Sequence, residues 1–130
     1  METSFLGDIK TIAIVGLSDN PVRPSYQVAE YLLSQGYELI PVNPTIKEVF
    51  GRKSYASLEQ IPKNIKVDLV DIFRKSEEVL PIVETAICLG IKHIWMQEGV
   101  KNEAAIKLAE DAGATVAADV CIMKTMKSVV

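Results

Sequence analysis

Continuously apolar runs alternate with stretches of helical period along this chain. That alternation predicts parallel strands covered on both faces by crossover helices. The first run, Thr11–Val15, is uncharged and largely β-branched, as a central strand requires, and Gly16 ends it. From Ser25 the segment SYQVAEYLLSQG puts Val28, Tyr31 and Leu32 at helical spacing, with Ser25 read as the N-cap and Gly36 as the stop. YELIPVNP follows as a second strand, in which Pro41 lacks a ladder donor and Asn43-Pro44 closes the run.

Residues 45–66 are less regular. They read as a turn of helix at 47–50, a short strand at 53–55 and a helical turn at 57–61. VDLVDIF, residues 67–73, is the next strand, and Arg74 lies just past its end. Ser76 reads as the cap of a helix reaching Gly90, with Val79, Val83 and Ala86 on its apolar face and Pro81 tolerated near its first turn. A strand at 93–97, a helix at 102–113 and a strand at 115–118 complete the alternation, and residues 119–130 form a tail of helical spacing.

At 130 residues the chain is read as one domain with a single core. Seventeen acidic against fourteen basic residues give a net charge of −3, which excludes the broad positive field that nucleic acid or anionic membrane requires. An anion site must therefore be local. The apolar runs are short, and METSFLGDIK has no basic flank leading into an apolar stretch, so a cytoplasmic protein without a membrane span is expected. Cys88 and Cys121 are far apart and form no disulfide framework.

In open parallel sheets ligands bind beyond the carboxyl ends of the strands, where strand order reverses. The loops after Val15, Val42, Ile72 and Met96 should line that crevice. GLSDNPVRPS, residues 16–25, combines Gly16, Ser18, Asn20, Arg23 and Ser25 just before a helix, the composition of an anion site; an ordinary turn carrying a surface arginine is the other reading. Ser18 and Pro21 replace the second and third glycines of the dinucleotide fingerprint, and Asn43-Pro44 stands where a ribose-gripping acid would be. Lys47, Arg52 and Lys53 could meet a phosphate on the ribose, or could simply be a solvated basic stretch.

Phe73 and Arg74 reach the same crevice, and WMQEGV adds Gln97, a polar contact for an amide, together with Glu98 and Gly99. Catalytic groups are sparse. His93 begins a strand, hence at the far end of the sheet, and reads as structural; Trp95 reads as core. Cys88 falls near the apolar face of its helix and reads as buried. Cys121 follows the last strand on the crevice side, where it is either a reachable thiol or a small core residue.

Taken together, GLSDNPVRPS, PVNP, EVFGRKSYASLEQIP, VDLVDIFR and WMQEGV resemble the stand-alone CoA-binding protein family, which is related to the CoA-binding domain of succinyl-CoA ligase alpha subunits. The likeness runs from about residue 8 to residue 124. It implies an α/β fold: a Rossmann-like, three-layer, doubly wound parallel sheet of strand order 3-2-1-4-5-6, the short strand near Lys53 being the third. It further implies that Gly16, Ser18, Asn20, Arg23 and Ser25 cradle the pyrophosphate of coenzyme A. Asn43, Pro44 and Lys47 would surround the adenosine and its 3′-phosphate, and Ile72, Phe73 and Arg74 the pantetheine side. Cys121 beside the pantetheine thiol would allow a mixed disulfide. The phosphohistidine loop of the ligases does not occur in this sequence. The implied function is binding of CoA or an acyl-CoA without independent catalysis, with an NADP-dependent enzyme or redox sensor on the same fold as the alternative.

Overall fold

Residues 4–128 are described by the computed structural model, and in them strands and helices alternate as the periodicity predicts. The order is β1 (Thr11–Val15), α1 (Pro24–Ser34), β2 (Glu38–Val42), β3 (Glu48–Val49), β4 (Arg52–Lys53), β5 (Leu69–Ile72), α2 (Val79–Cys88), β6 (His93–Met96), α3 (Glu103–Asp111), β7 (Thr115–Ala117) and α4 (Ile122–Ser128). Five strands form a parallel sheet in the order β2-β1-β5-β6-β7, so the strand order reverses between β1 and β5. The Rossmann-like, doubly wound architecture follows from this topology.

Alternate residues of each strand face opposite layers. Ala13, Val15, Val70, Ile72 and Ile94 pack with Val83 and Ala86 of α2 and Ala105 of α3 on one face. Ile12, Ile14, Leu69 and Trp95 pack with Leu32 of α1 and Ile122 of α4 on the other. Ile12, Ile14, Ile72 and Trp95 are completely buried, each contributing about 1.5–3 kcal/mol of hydrophobic stabilisation.

The expected third strand is reduced to one parallel bridge, Val42 to Tyr55, outside β2. Pro41 accounts for this. The Tyr55 N–H donates to the Pro41 carbonyl at 3.0 Å and the Asn43 N–H to the Tyr55 carbonyl at 2.8 Å. In a parallel ladder the N and C=O of one residue face the same neighbour, so the missing Pro41 N–H lies on this edge and the ladder cannot extend backward.

Residues 47–50 are not a turn of helix. Glu48–Val49 pairs antiparallel with Arg52–Lys53 around Phe50 and Gly51, both at positive φ, 56° and 71°. Such two-residue hairpin loops favour Asn or Gly, so Phe50 conceals the turn in the sequence. Its ring lies 4.5 Å from that of Tyr26, and Arg52 Nη1 donates to its carbonyl at 3.0 Å, contacts that hold it in place.

Both expected caps are corrected. Arg23 is the N-cap of α1 and Pro24 occupies its first turn, where no N–H is needed, while Ser25 is already helical. Residues 76–78 form a 3₁₀ turn before α2, and the Ser76 hydroxyl accepts the Lys101 N–H instead of capping. Pro81 is third in α2 and breaks no helical bond. Cys88, expected to be buried, is exposed. No described helix is long and apolar enough to cross a membrane.

Candidate functional site

The loop between β1 and α1 leaves the sheet at Gly16. Its φ of +88° and its closeness to β5 both require glycine: a Cβ there would lie 2.3 Å from the Phe73 carbonyl oxygen. The loop then ties itself together. Ser25 Oγ accepts the Ser18 N–H at 2.9 Å, Ser18 Oγ accepts the Asn20 N–H at 3.0 Å, and Asn20 Oδ1 accepts the Val22 N–H at 3.1 Å. Ser18, Asn20 and Ser25 thus shape the loop through their own oxygens. The first intrahelical bond runs from the Gln27 N–H to the Arg23 carbonyl, which leaves the Ser25 and Tyr26 N–H groups at the open end of α1. Arg23 is exposed beside them, with no ion-pair partner among the described residues.

Asn43 clamps the end of β2 onto this loop. Its Nδ2 donates to the Leu17 carbonyl at 3.0 Å, and its Oδ1 accepts both the backbone N–H and the hydroxyl of Thr45. Across the switch point, Phe73 is half-buried, Ile72 is completely buried, and Arg74 pairs with Glu78 at 2.9 Å.

Three adjoining hollows follow the carboxyl ends of β2, β1, β5 and β6. One of about 310 Å³ lies between Val15, Gly16, Val42, Pro44 and Arg74. A second of about 360 Å³ is lined by Gly16, Ser18, Arg23, Ser25, Asn43 and Phe73. The third, about 790 Å³, opens between Arg23, Phe73 and Arg74 and extends to Val28, Gln97 and Cys121. Gly16 is common to the first two, and Arg23 and Phe73 to the last two. Of the eleven sequence-derived site residues, eight therefore line one groove, and Asn20 lines no hollow but is tied to the loop through its N–H on Ser18 Oγ. Lys47 is exposed and Ile72 is sealed in the core, and neither lines a hollow.

The other cations divide. Arg52 is held by Glu38 at 3.2 Å, while Lys53 sits 5.3 Å over the Tyr55 ring. Gln97, read from the sequence as a rim contact, is only 3% exposed, and its Oε1 accepts the Ile122 N–H at 3.1 Å. Cys121 is buried against the largest hollow. His93 starts β6 at the opposite end of the sheet, where burial lowers its pKa against the opposing pull of Asp68 and Asp8.

Asp71 escaped the sequence reading altogether. It lies within β5, completely buried, and burial raises its pKa well above the ordinary 3.8. The only signal was the second of two acids in VDLVDIF, Asp68 and Asp71, a pattern equally compatible with a half-exposed strand. No group of three or more His, Cys, Asp or Glu among the described residues is arranged to hold a metal ion.

A loop with a helix N-terminus and a free guanidinium, set at the switch point of a doubly wound parallel sheet, defines a Rossmann-like ligand-binding domain. Comparison with known proteins narrows that class. Residues 10–127 match the family described as CoA binding domain. The chain is 42% identical over 113 residues to the uncharacterized protein YneT of Bacillus subtilis (strain 168), covering 87% of this chain and 82% of that one. It is 30% identical over 106 residues to the ADP-forming 4-hydroxybutyrate–CoA ligase of Nitrosopumilus maritimus (strain SCM1), covering 72% of this chain but 15% of the ligase. A solved structure of a hypothetical protein from Pyrococcus horikoshii OT3 superposes with a TM-score of 0.91 at 40% identity, over 95% of this chain and 86% of that one. The chain belongs to the CoA binding domain family.

Proposed function

We propose that the protein binds coenzyme A or an acyl-CoA along the groove at the carboxyl end of the sheet, as a binding module without catalysis of its own. The observation that carries this reading is the family match over residues 10–127, which spans every loop of a groove with an unpaired arginine at its centre.

In this reading the pyrophosphate lies in the 360 Å³ hollow, met by the Arg23 guanidinium and the free N–H groups at the start of α1. Gly16 lets the phosphates approach the backbone, and Ser18, Asn20 and Ser25 hold the loop open for them. The adenosine lies toward Pro44 and the apolar 310 Å³ hollow, with Lys47, exposed three residues after Pro44 and in no ion pair among the described residues, as the cation for its 3′-phosphate. The pantetheine arm passes the Ile72-Phe73-Arg74 turn into the 790 Å³ hollow. A cationic surrounding for a ribose phosphate accords with the amide of Asn43 in place of a carboxylate. The position of His93 at the far end of the sheet supports a role in binding rather than proton transfer.

Titration calorimetry with CoA, dephospho-CoA, NADP and NAD tests the proposal. Tight binding of CoA that weakens strongly in dephospho-CoA is expected. Heat with NADP but none with CoA would favour a nicotinamide-dependent function, and no heat with CoA overturns the reading.

A further inference from the structure

The 790 Å³ hollow is more than twice the volume of either neighbour, and its two ends differ in chemistry. Arg23, Arg74, Lys75 and Glu98 at its mouth are exposed, whereas Val28, Gln97, Val100 and Cys121 deeper in are buried. Gln97 is the one uncharged polar side chain in that apolar depth, and its orientation is fixed. A backbone N–H can only donate, so the atom meeting the Ile122 N–H at 3.1 Å must be the amide oxygen, and Nε2 points away from it. Nε2 has no hydrogen-bond partner among the described residues, yet it is not among their sealed polar atoms, and Gln97 is one of the residues lining the hollow. The Gln97 backbone is anchored as well, its N–H to the Ile72 carbonyl and its carbonyl to the Val100 N–H.

A rigid donor in an apolar recess suits a ligand that brings one carbonyl oxygen attached to an apolar chain. We propose that this hollow takes the acyl end of an acyl-CoA, with Gln97 Nε2 donating to the thioester carbonyl. The inference rests on the CoA reading above and deepens it: the preferred ligand is the thioester rather than free CoA. Gln97 is then a specificity residue, and its anchor on Ile122 makes the start of α4 part of the recess.

The experiment compares CoA, acetyl-CoA and the S-ethyl thioether of CoA, which keeps the chain but lacks the carbonyl, on the intact protein by titration calorimetry. The protein should bind acetyl-CoA about tenfold more tightly than the thioether, the worth of one neutral hydrogen bond. Gln97→Glu keeps an acceptor for the Ile122 N–H but removes the donor, and Gln97→Met removes both; each should abolish that tenfold ratio. Equal affinity of the unsubstituted protein for acetyl-CoA and the thioether overturns the inference, a result independent of whether either variant folds. A ratio that persists in folded variants also overturns it. Uniform weakening of all three ligands would assign the donor to a pantetheine amide and overturn the thioester assignment. Failure of all three to bind the unsubstituted protein instead removes the CoA reading itself.

Discussion

Asp71 stands directly opposite Trp95 in the parallel ladder between β5 and β6, yet the two side chains do not bond: the indole N–H donates to the Val120 carbonyl at 2.9 Å. Both carboxyl oxygens of Asp71 are left without a hydrogen-bond partner. Leu69 shares its strand face, Ile14 is its other register partner, and neither offers a charge. Desolvation therefore keeps the acid protonated above its ordinary pKa.

The sign of the pH effect follows. The unfolded chain releases this proton near pH 3.8, whereas the folded chain holds it until the raised pKa is reached. Across that window the folded state binds more protons, so stability contributed by this site falls as pH rises. Denaturant unfolding of the protein and Asp71→Asn, from acidic to alkaline pH, should show a declining difference curve that the variant lacks. Asp71→Val, which also removes the unpartnered oxygens, should be more stable by about 1–3 kcal/mol at alkaline pH. A slope unchanged in Asp71→Asn would contradict the buried-acid account.

Gly16→Ala places a methyl group against the Phe73 carbonyl at a backbone angle that side chains rarely adopt. Strain of about 1–3 kcal/mol is expected, read as a lower thermal midpoint. The loop must also shift away from β5, so CoA affinity should fall more than the stability loss alone explains. Unchanged CoA affinity in the folded variant would show that the ligand does not use this approach.

The arginines of the basic segments separate by what already holds them. Arg23→Ala should weaken CoA binding by about 1.5–3 kcal/mol, because its guanidinium has no ion-pair partner within the described chain and Arg23 lines the 360 Å³ hollow proposed for the pyrophosphate. Arg52→Ala should leave binding unchanged, since Glu38 and the Phe50 carbonyl engage that side chain. Isothermal titrations of the two variants give the comparison, and equal losses would point to general charge rather than a placed contact.

The two thiols should differ in reactivity. Cys88 is exposed at the end of α2 and should be alkylated first, with Cys121 slower behind the walls of the large hollow. Saturating CoA should slow Cys121 further and leave Cys88 unaffected, as read by peptide mass spectrometry over time. Protection of both, or of neither, would place the ligand elsewhere.

Much of this was legible in the chain because continuous apolar runs such as Thr11–Val15 tolerate only burial on both faces, and the helical segments between them must then cross over. The same logic located the groove, since topology alone puts the loops after β1, β2, β5 and β6 at one end of the sheet. Ser25 and Gln97 were noticed for their chemistry, but their jobs could not be read. Their partners, Ser18 and Ile122, are fixed by loop closure and by packing of α4, which no local pattern encodes. Phe50 hid its hairpin because contacts with Tyr26 and Arg52 override an unfavourable turn residue.

Sequence by itself determined the doubly wound sheet, the end of it at which the groove opens and the cations near that groove, because strand burial and helix crossover are properties of periodicity and spacing. Tertiary structure alone decided which polar groups stay available. Asn43, Arg52 and Arg74 are engaged by neighbours, whereas Arg23 and one face of the Gln97 amide are not. Hydrogen bonding saturates, so a group's freedom to meet a ligand depends on every partner the fold brings within reach, and those partners come from distant parts of the chain.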